Sequence, residues 1–297
     1  MYQRLPRSTP HRSNGLNTRA AAETDAGRPT RRLGAARAGA PRSDLAARID
    51  RVLDAALARE PEVMVSVSAD ELFQDPGAVA AAVTATLDRA GAGLTAQWRV
   101  TEVFRRSGLG RELVDSLVSP DPAARASAAQ LCGAIRLSEA VLWIGDLLGD
   151  PNIQVREAAI RALGRLGGRR AVDTMMAAVD RVPMYRLAIS LSQAASDIEI
   201  ETLIRQPKSE RAAVATVLAC GLRRDSLRVP PLLGIAHDRR WPKRVRLAAC
   251  LALGMIGDGS VADGLGKLAT GEPDVAVKAA AARAQRRLQR VARRQRS

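Results

Sequence analysis

From residue 77 onward, apolar residues recur every three to four positions in short segments broken by proline or glycine. That spacing predicts amphipathic helices. They are expected in pairs: 77–90 with 93–106, 110–118 with 121–135, 138–149 with 152–166, and 170–180 with 184–196. The series continues as 198–205 with 209–222, 228–236 with 242–256, and 260–269 with 274–294. Upstream, Leu45, Ile49, Val52, Leu53, Ala56 and Leu57 form one helical stripe behind a Ser43-Asp44 cap, ending near Pro61. Val63, Met64, Val65 and Val67 then read as a short linker. Residues 1–43 show no period and are expected to be disordered and basic. The division is a tail at 1–43, a capping helix and linker at 44–75, and a helical array at 76–297.

The segments repeat. Residues 147–180 contain one whole unit, and its skeleton returns before and after at a period of about 31 residues. Such a period predicts an all-α fold: a right-handed α-solenoid of stacked antiparallel helix pairs. Gly133, Gly164, Ala194, Gly221 and Gly254 mark the expected ends of successive second helices, where glycine releases the backbone into the left-handed region. Pro122, Pro151, Pro183, Pro207, Pro242 and Pro273 stand between the helices of each pair. The pairs at 170–196 and 198–222 are degenerate.

Val155-Arg156-Glu157-Ala158-Ala159 and Ala162-Leu163-Gly164, preceded by Asp150-Pro151, resemble the HEAT repeat in its phycobilisome-lyase-like subtype. Val245-Arg246-Leu247-Ala248-Ala249 and Ala252-Leu253-Gly254 repeat the pattern, and the resemblance runs over about 77–290. It implies an inter-repeat ladder of arginines and acids. The arginines are Arg125, Arg156, Arg186 and Arg246, with Lys278 as a variant; the acids are Asp121, Asp150, Asp180 and Asp238. These residues are assigned to structure before function. The second helices are expected to line the concave face, which makes Gln154, Glu157, Arg161 and Arg165 candidate interaction positions.

Composition refines this picture. The net charge is +15 over 297 residues, yet it is concentrated at the ends. Residues 1–50 carry +6, residues 278–297 carry +8, and the remainder carries +1. Aromatic residues make up only 2%, so the core must be built from Ala, Leu, Val and Ile. Trp98 and Trp143 are expected within it. Cys132, Cys220 and Cys250 fall at core positions, too far apart for a disulfide framework or a zinc site. No run of about 18 apolar residues is present, so no transmembrane helix is expected. The reading is a cytoplasmic protein, with Ala and Arg usage resembling a GC-rich bacterial coding sequence.

Catalytic chemistry finds little support. Some HEAT-repeat proteins resemble deoxyhypusine hydroxylase, whose two irons need paired His-Glu motifs. This chain has only His11 and His237, neither followed by Glu. No nucleophile–base pairing or phosphate loop is recognisable. No catalytic residue, cofactor or metal site is expected. A role of the bilin-lyase type rests on fold resemblance alone. One loop departs from its sisters: Asp238, Arg239, Arg240, Trp241, Pro242, Lys243, Arg244 and Arg246 crowd basic residues around a tryptophan. Trp241 either projects as a hot spot or folds back onto the helix ends. The reading is a non-enzymatic scaffold or adaptor that binds a protein partner. The alternative is a nucleic-acid-associated solenoid using the basic ends and the Trp241 loop.

Overall fold

The computed structural model describes residues 44–58, 67–91 and 93–296, with side chains to residue 292. The sequence-based expectations for residues 1–43 and for Val63, Met64 and Val65 lie outside the described residues. Sixteen α-helices and no strand occur among the described residues.

The chain begins with α1 (Asp44–Leu57), α2 (Ala69–Gln74), α3 (Pro76–Arg89) and α4 (Leu94–Arg106). Repeating pairs follow: α5 (Leu109–Ser116) with α6 (Pro122–Ala134), α7 (Val141–Asp146) with α8 (Ile153–Leu166), and α9 (Gly168–Ala177) with α10 (Met184–Ala194). Next come α11 (Asp197–Arg205) with α12 (Glu210–Arg223), α13 (Val229–His237) with α14 (Lys243–Ile256), and α15 (Ala262–Gly271) with α16 (Val275–Arg296). The second helices α6, α8, α10, α12, α14 and α16 each pack on the next, and α3 extends that layer at its N-terminal end. The first helices cover the layer's other side. This arrangement is an α-solenoid with one continuous core.

The N-terminal end departs from the expected pairing. Helix α3 packs mainly on α1 and α6, while α4 lies against α1 and α5. Ile49 and Leu53 of α1 supply the apolar surface that α3 needs, and both are buried. Arg99 ties α4 to α1 by donating from Nη1 to the carbonyl of Leu57 at 2.9 Å. The linker is also shorter than expected. Ser68 and Glu71 form a reciprocal capping box that starts α2.

The repeat glycines do a different job from the one expected. They do not end the helices. The left-handed residues stand three positions further on, at Arg136, Gly167, Arg224 and Gly257. The glycines instead lie within the second helices, where backbones nearly touch. A Cβ on Gly133 would come within 2.7 Å of Ala162 Cα, and one on Gly221 within 2.8 Å of Ala252 Cα. Each glycine faces the residue two positions before its counterpart in the next repeat. Gly164 faces Ser190 at 3.1 Å, so the equivalent position in α10 is Ser192, not Ala194. This two-residue shift resets the alignment of the degenerate repeats.

Candidate functional site

With the register set by backbone approach, one outward row of second-helix positions can be followed along the array. It reads Gln130, Arg161, Ile189, Leu218, Leu251 and Arg283. The row one turn earlier includes Glu157, Tyr185, Val214 and Leu247. The row one turn later includes Arg165, Gln193, Leu222, Met255 and Arg287. The face is charged on α8, apolar across α10, α12 and α14, and cationic again on α16. Leu251 is 53% exposed and Tyr185 63% exposed, which is unusual for large apolar side chains.

This face holds a groove of 460 Å³ among α12, α14 and α16. Leu218, Leu247, Leu251 and Ala280 form its apolar lining, and Arg283 and Arg287 stand at its edge. Both arginines are exposed, and neither has an ion-pair partner among the described residues. The expected candidates Gln154, Arg161 and Arg165 are exposed on the same face but at its charged end. Glu157 is half-buried and held by Arg186 at 3.1 Å, so it is not an open contact. The groove residues were legible in principle. Leu218 and Leu251 occupy the position that Arg161 holds in its own repeat, and an apolar residue at an outward position is the signal.

The polar ladder forms at the two ends of the array and is missing between them. Arg125 makes a bidentate pair with Asp150, Nε to Oδ2 at 2.8 Å and Nη2 to Oδ1 at 3.1 Å. Arg246 likewise holds both carboxylate oxygens of Glu272 and donates from Nε to the Ala236 carbonyl at 3.0 Å. Glu272, not Asp238, is therefore the acid of that rung. Arg156 has no equivalent acid. In the corrected register Ala178 stands at that place, and Asp180 is exposed. Arg156 instead donates to the carbonyls of Asp150 and Pro151 at 2.7 and 2.9 Å. Arg186 is not the rung residue of α10, because Met184 occupies that position. Asp121 caps α6 by accepting from the amides of Ala123 and Ala124. Lys278 is exposed.

The ladder's electrostatics are those of structural pairs. Burial raises the pKa of the Asp150 carboxyl, but hydrogen bonds from Arg125 and the Asn152 amide outweigh it and leave a net lowering. The Arg246 guanidinium holds Glu272 below its ordinary value against the same desolvation. The thiols respond oppositely. Burial pushes Cys132 and Cys220 up to about 12 and Cys250 up to about 11, so none is a thiolate at neutral pH.

The basic loop is largely self-satisfied. Arg240 folds onto Asp238, whose Oδ1 also accepts from the Arg240 amide at 2.9 Å. Lys243 pairs with Asp274 at 2.9 Å, and Arg246 is committed to Glu272. Arg239 and Arg244 remain exposed. Trp241 is half-buried against the core, so it folds back onto the helix ends. The other two tryptophans reverse the expectation that they belong to the core: Trp98 is 57% exposed and Trp143 48%. At about 100° per residue, Trp98 sits roughly 200° around α4 from buried Val100, which explains its exposure. It borders a 420 Å³ cleft with Leu94, Arg136 and the Gly167-Gly168 turn.

A family model described as HEAT repeats matches residues 110–192 and 200–286, more than half of the chain. This chain belongs to the HEAT-repeat family. The matched segments begin at the α5–α6 pair and end within α16, so the HEAT array coincides with the stacked second-helix layer. α1 to α4 lie outside the HEAT match.

The chain is also similar to several solved structures. Human deoxyhypusine hydroxylase in complex with glycerol aligns at 18% identity and TM-score 0.33, covering 83% of this chain and 97% of that one. The complex of CpcE and CpcF of phycocyanin lyase from Nostoc sp. aligns at 16% identity and TM-score 0.32, covering 76% and 89%. An engineered protein aligns at 20% identity and TM-score 0.28, covering 82% and 96%. A comparison with curated proteins returns no match. Among the described residues, no group of three or more His, Cys, Asp or Glu is placed to hold a metal ion, and no helix is long and apolar enough to cross a membrane.

Proposed function

We propose that this HEAT-repeat protein is a non-enzymatic adaptor that binds a protein partner along its second-helix face. One observation carries the reading: an open apolar groove over α12, α14 and α16, built from Leu218, Leu247 and Leu251 at positions where sister repeats carry Arg161 and Glu157. Leu251 is exposed, Leu218 and Leu247 pack on the core while leaving part of their surface open, and a contiguous apolar patch on a protein surface marks an interaction site.

The test is position-specific photocrosslinking in cells. A photoreactive residue at position 218 or 251 is expected to trap a discrete protein. The same residue at Leu142, an exposed position on a first helix, is expected not to. The trapped protein, made separately, should bind the purified chain and weaken at least tenfold with Leu247→Asp. Crosslinking that is equal at all three positions, or binding unaffected by Leu247→Asp, overturns the proposal.

A second reading has its own observation. Helix α16 carries arginines at 283, 286, 287 and 290 with no acid beyond residue 275, the composition of a phosphate-backbone contact. It predicts duplex binding that falls steeply with salt and survives Leu251→Asp.

A further inference from the structure

Resting on the adaptor reading, we infer that the occupant of the second-helix face is an amphipathic helix with an apolar middle and acidic ends. The order of side chains across the face sets this chemistry. Arg161 and Arg165 stand on α8. Then come the apolar positions Tyr185, Ile189, Val214, Leu218, Leu247 and Leu251. Arg283 and Arg287 close the series on α16. Cations thus bound the apolar stretch on both sides, and the one carboxylate in these rows, Glu157, is half-buried and paired with Arg186 at 3.1 Å. Arg161 spends one donor on its own helix, Nε to the Glu157 carbonyl at 3.0 Å, which keeps its remaining donors available. Arg283 and Arg287 have no ion-pair partner among the described residues. Unpaired guanidiniums at the rim of an apolar surface are the complement of carboxylates flanking an apolar stripe.

The occupant's secondary structure follows from hydrogen bonding. Every residue in these rows is helical, so the face offers no strand edge to an extended peptide. A helix satisfies its own backbone and lays an apolar stripe into such a groove. Its length follows from the span. Four inter-helix steps of roughly 8–10 Å separate α8 from α16, which a helix rising 1.5 Å per residue crosses in about 21–27 residues. The chain's own N-terminal segment does not fit. Residues 1–50 hold ten arginines against four acids and would be repelled by the same rim. A second copy would set one basic end against another.

The experiment uses the full chain and three labelled helical peptides of about 22 residues, read by fluorescence anisotropy. One has a leucine stripe with glutamates at both ends. The second replaces those glutamates by lysines, and the third replaces the leucines by serines. The glutamate-ended peptide is expected to bind at least tenfold tighter than either other peptide. Leu251→Asp should weaken it at least tenfold. Arg161→Glu combined with Arg283→Glu should invert the preference, so that the lysine-ended peptide binds better. Circular dichroism and thermal melts of both variants should match the parent, since all three positions are exposed. Equal binding of the two charged peptides, binding of neither, or a preference unchanged by the charge swap overturns the inference. A labelled DNA duplex that displaces the peptide and is itself insensitive to Leu251→Asp overturns it in favour of nucleic acid. The adaptor reading fails separately. If crosslinking from position 251 traps a partner whose contacting segment is not acidic, this inference falls and the adaptor reading stands.

Discussion

Arg246 holds both carboxylate oxygens of Glu272 from the neighbouring repeat while both side chains are almost fully shielded, at 6% and 3% exposure. The pair clamps α14 to the turn before α16. It is the most deeply buried ionic contact described in the array. Its mate at the other end joins Arg125 to Asp150.

Removing one member of that pair should be far worse than removing both. Arg246→Met leaves the Glu272 carboxylate buried without a partner and should destabilise the chain by about 3–5 kcal/mol. Arg246→Met with Glu272→Leu should recover most of that loss. Arg156→Met removes only hydrogen bonds to carbonyls and should cost about 1–2 kcal/mol. Urea denaturation of the four proteins, followed by circular dichroism, checks the order.

Acid should act through the same rungs. Asp150 and Glu272 both titrate below their ordinary values of 3.8 and 4.5 in the folded chain. Lowered carboxylate pKa values stabilise the fold above the unfolded values, and that stability is lost as pH falls through the folded values. Stability should therefore hold from neutral pH down to about 4.5 and decline below it. The Arg246→Met, Glu272→Leu variant should show a shallower decline. Melting temperatures across pH 2.5 to 7 provide the measurement.

The glycines of the second helices should respond to alanine with opposite signs. Gly133→Ala drives a methyl into Ala162 at 2.7 Å, and such overpacking costs typically about 1–3 kcal/mol. Gly254→Ala places its Cβ 3.4 Å from Ala284, an ordinary contact. There the helical preference for alanine should win, a gain of about 0.5–1 kcal/mol. Thermal melts of the two variants separate the cases.

Tryptophan accessibility offers a direct check on the site geometry. Proteins retaining only one tryptophan should show strong acrylamide quenching for Trp98 and Trp143 and weaker quenching with a blue-shifted emission for Trp241. Strong quenching of Trp241 would place its ring outside the loop and restore that loop as a contact surface.

The sequence by itself determined the helical array. A period of three to four in apolar positions, punctuated by proline, is a local property, and each helix–turn–helix unit carries it independently. It located every helix from α5 onward, while the arginine–acid ladder was implied by the family resemblance, which named Arg125, Asp150 and Arg246 but not Glu272. The tertiary structure alone decided the register of the degenerate repeats. Gly164 meets Ser190 because two backbones approach closely, and no local pattern records which residue lies across an interface. The same reason accounts for α3 leaving its expected partner α4 for α1. It also explains why Trp98 and Trp143 left the core expected of them and why Trp241 folds back onto the helix ends. A tryptophan's burial depends on which helix covers it, and that is settled only when neighbours stack. The apolar face over α12 and α14 emerged in the same way. Leu218 and Leu251 look like core residues one helix at a time, and only the stacked array shows that Leu251 is exposed and Leu218 half-open to the same groove.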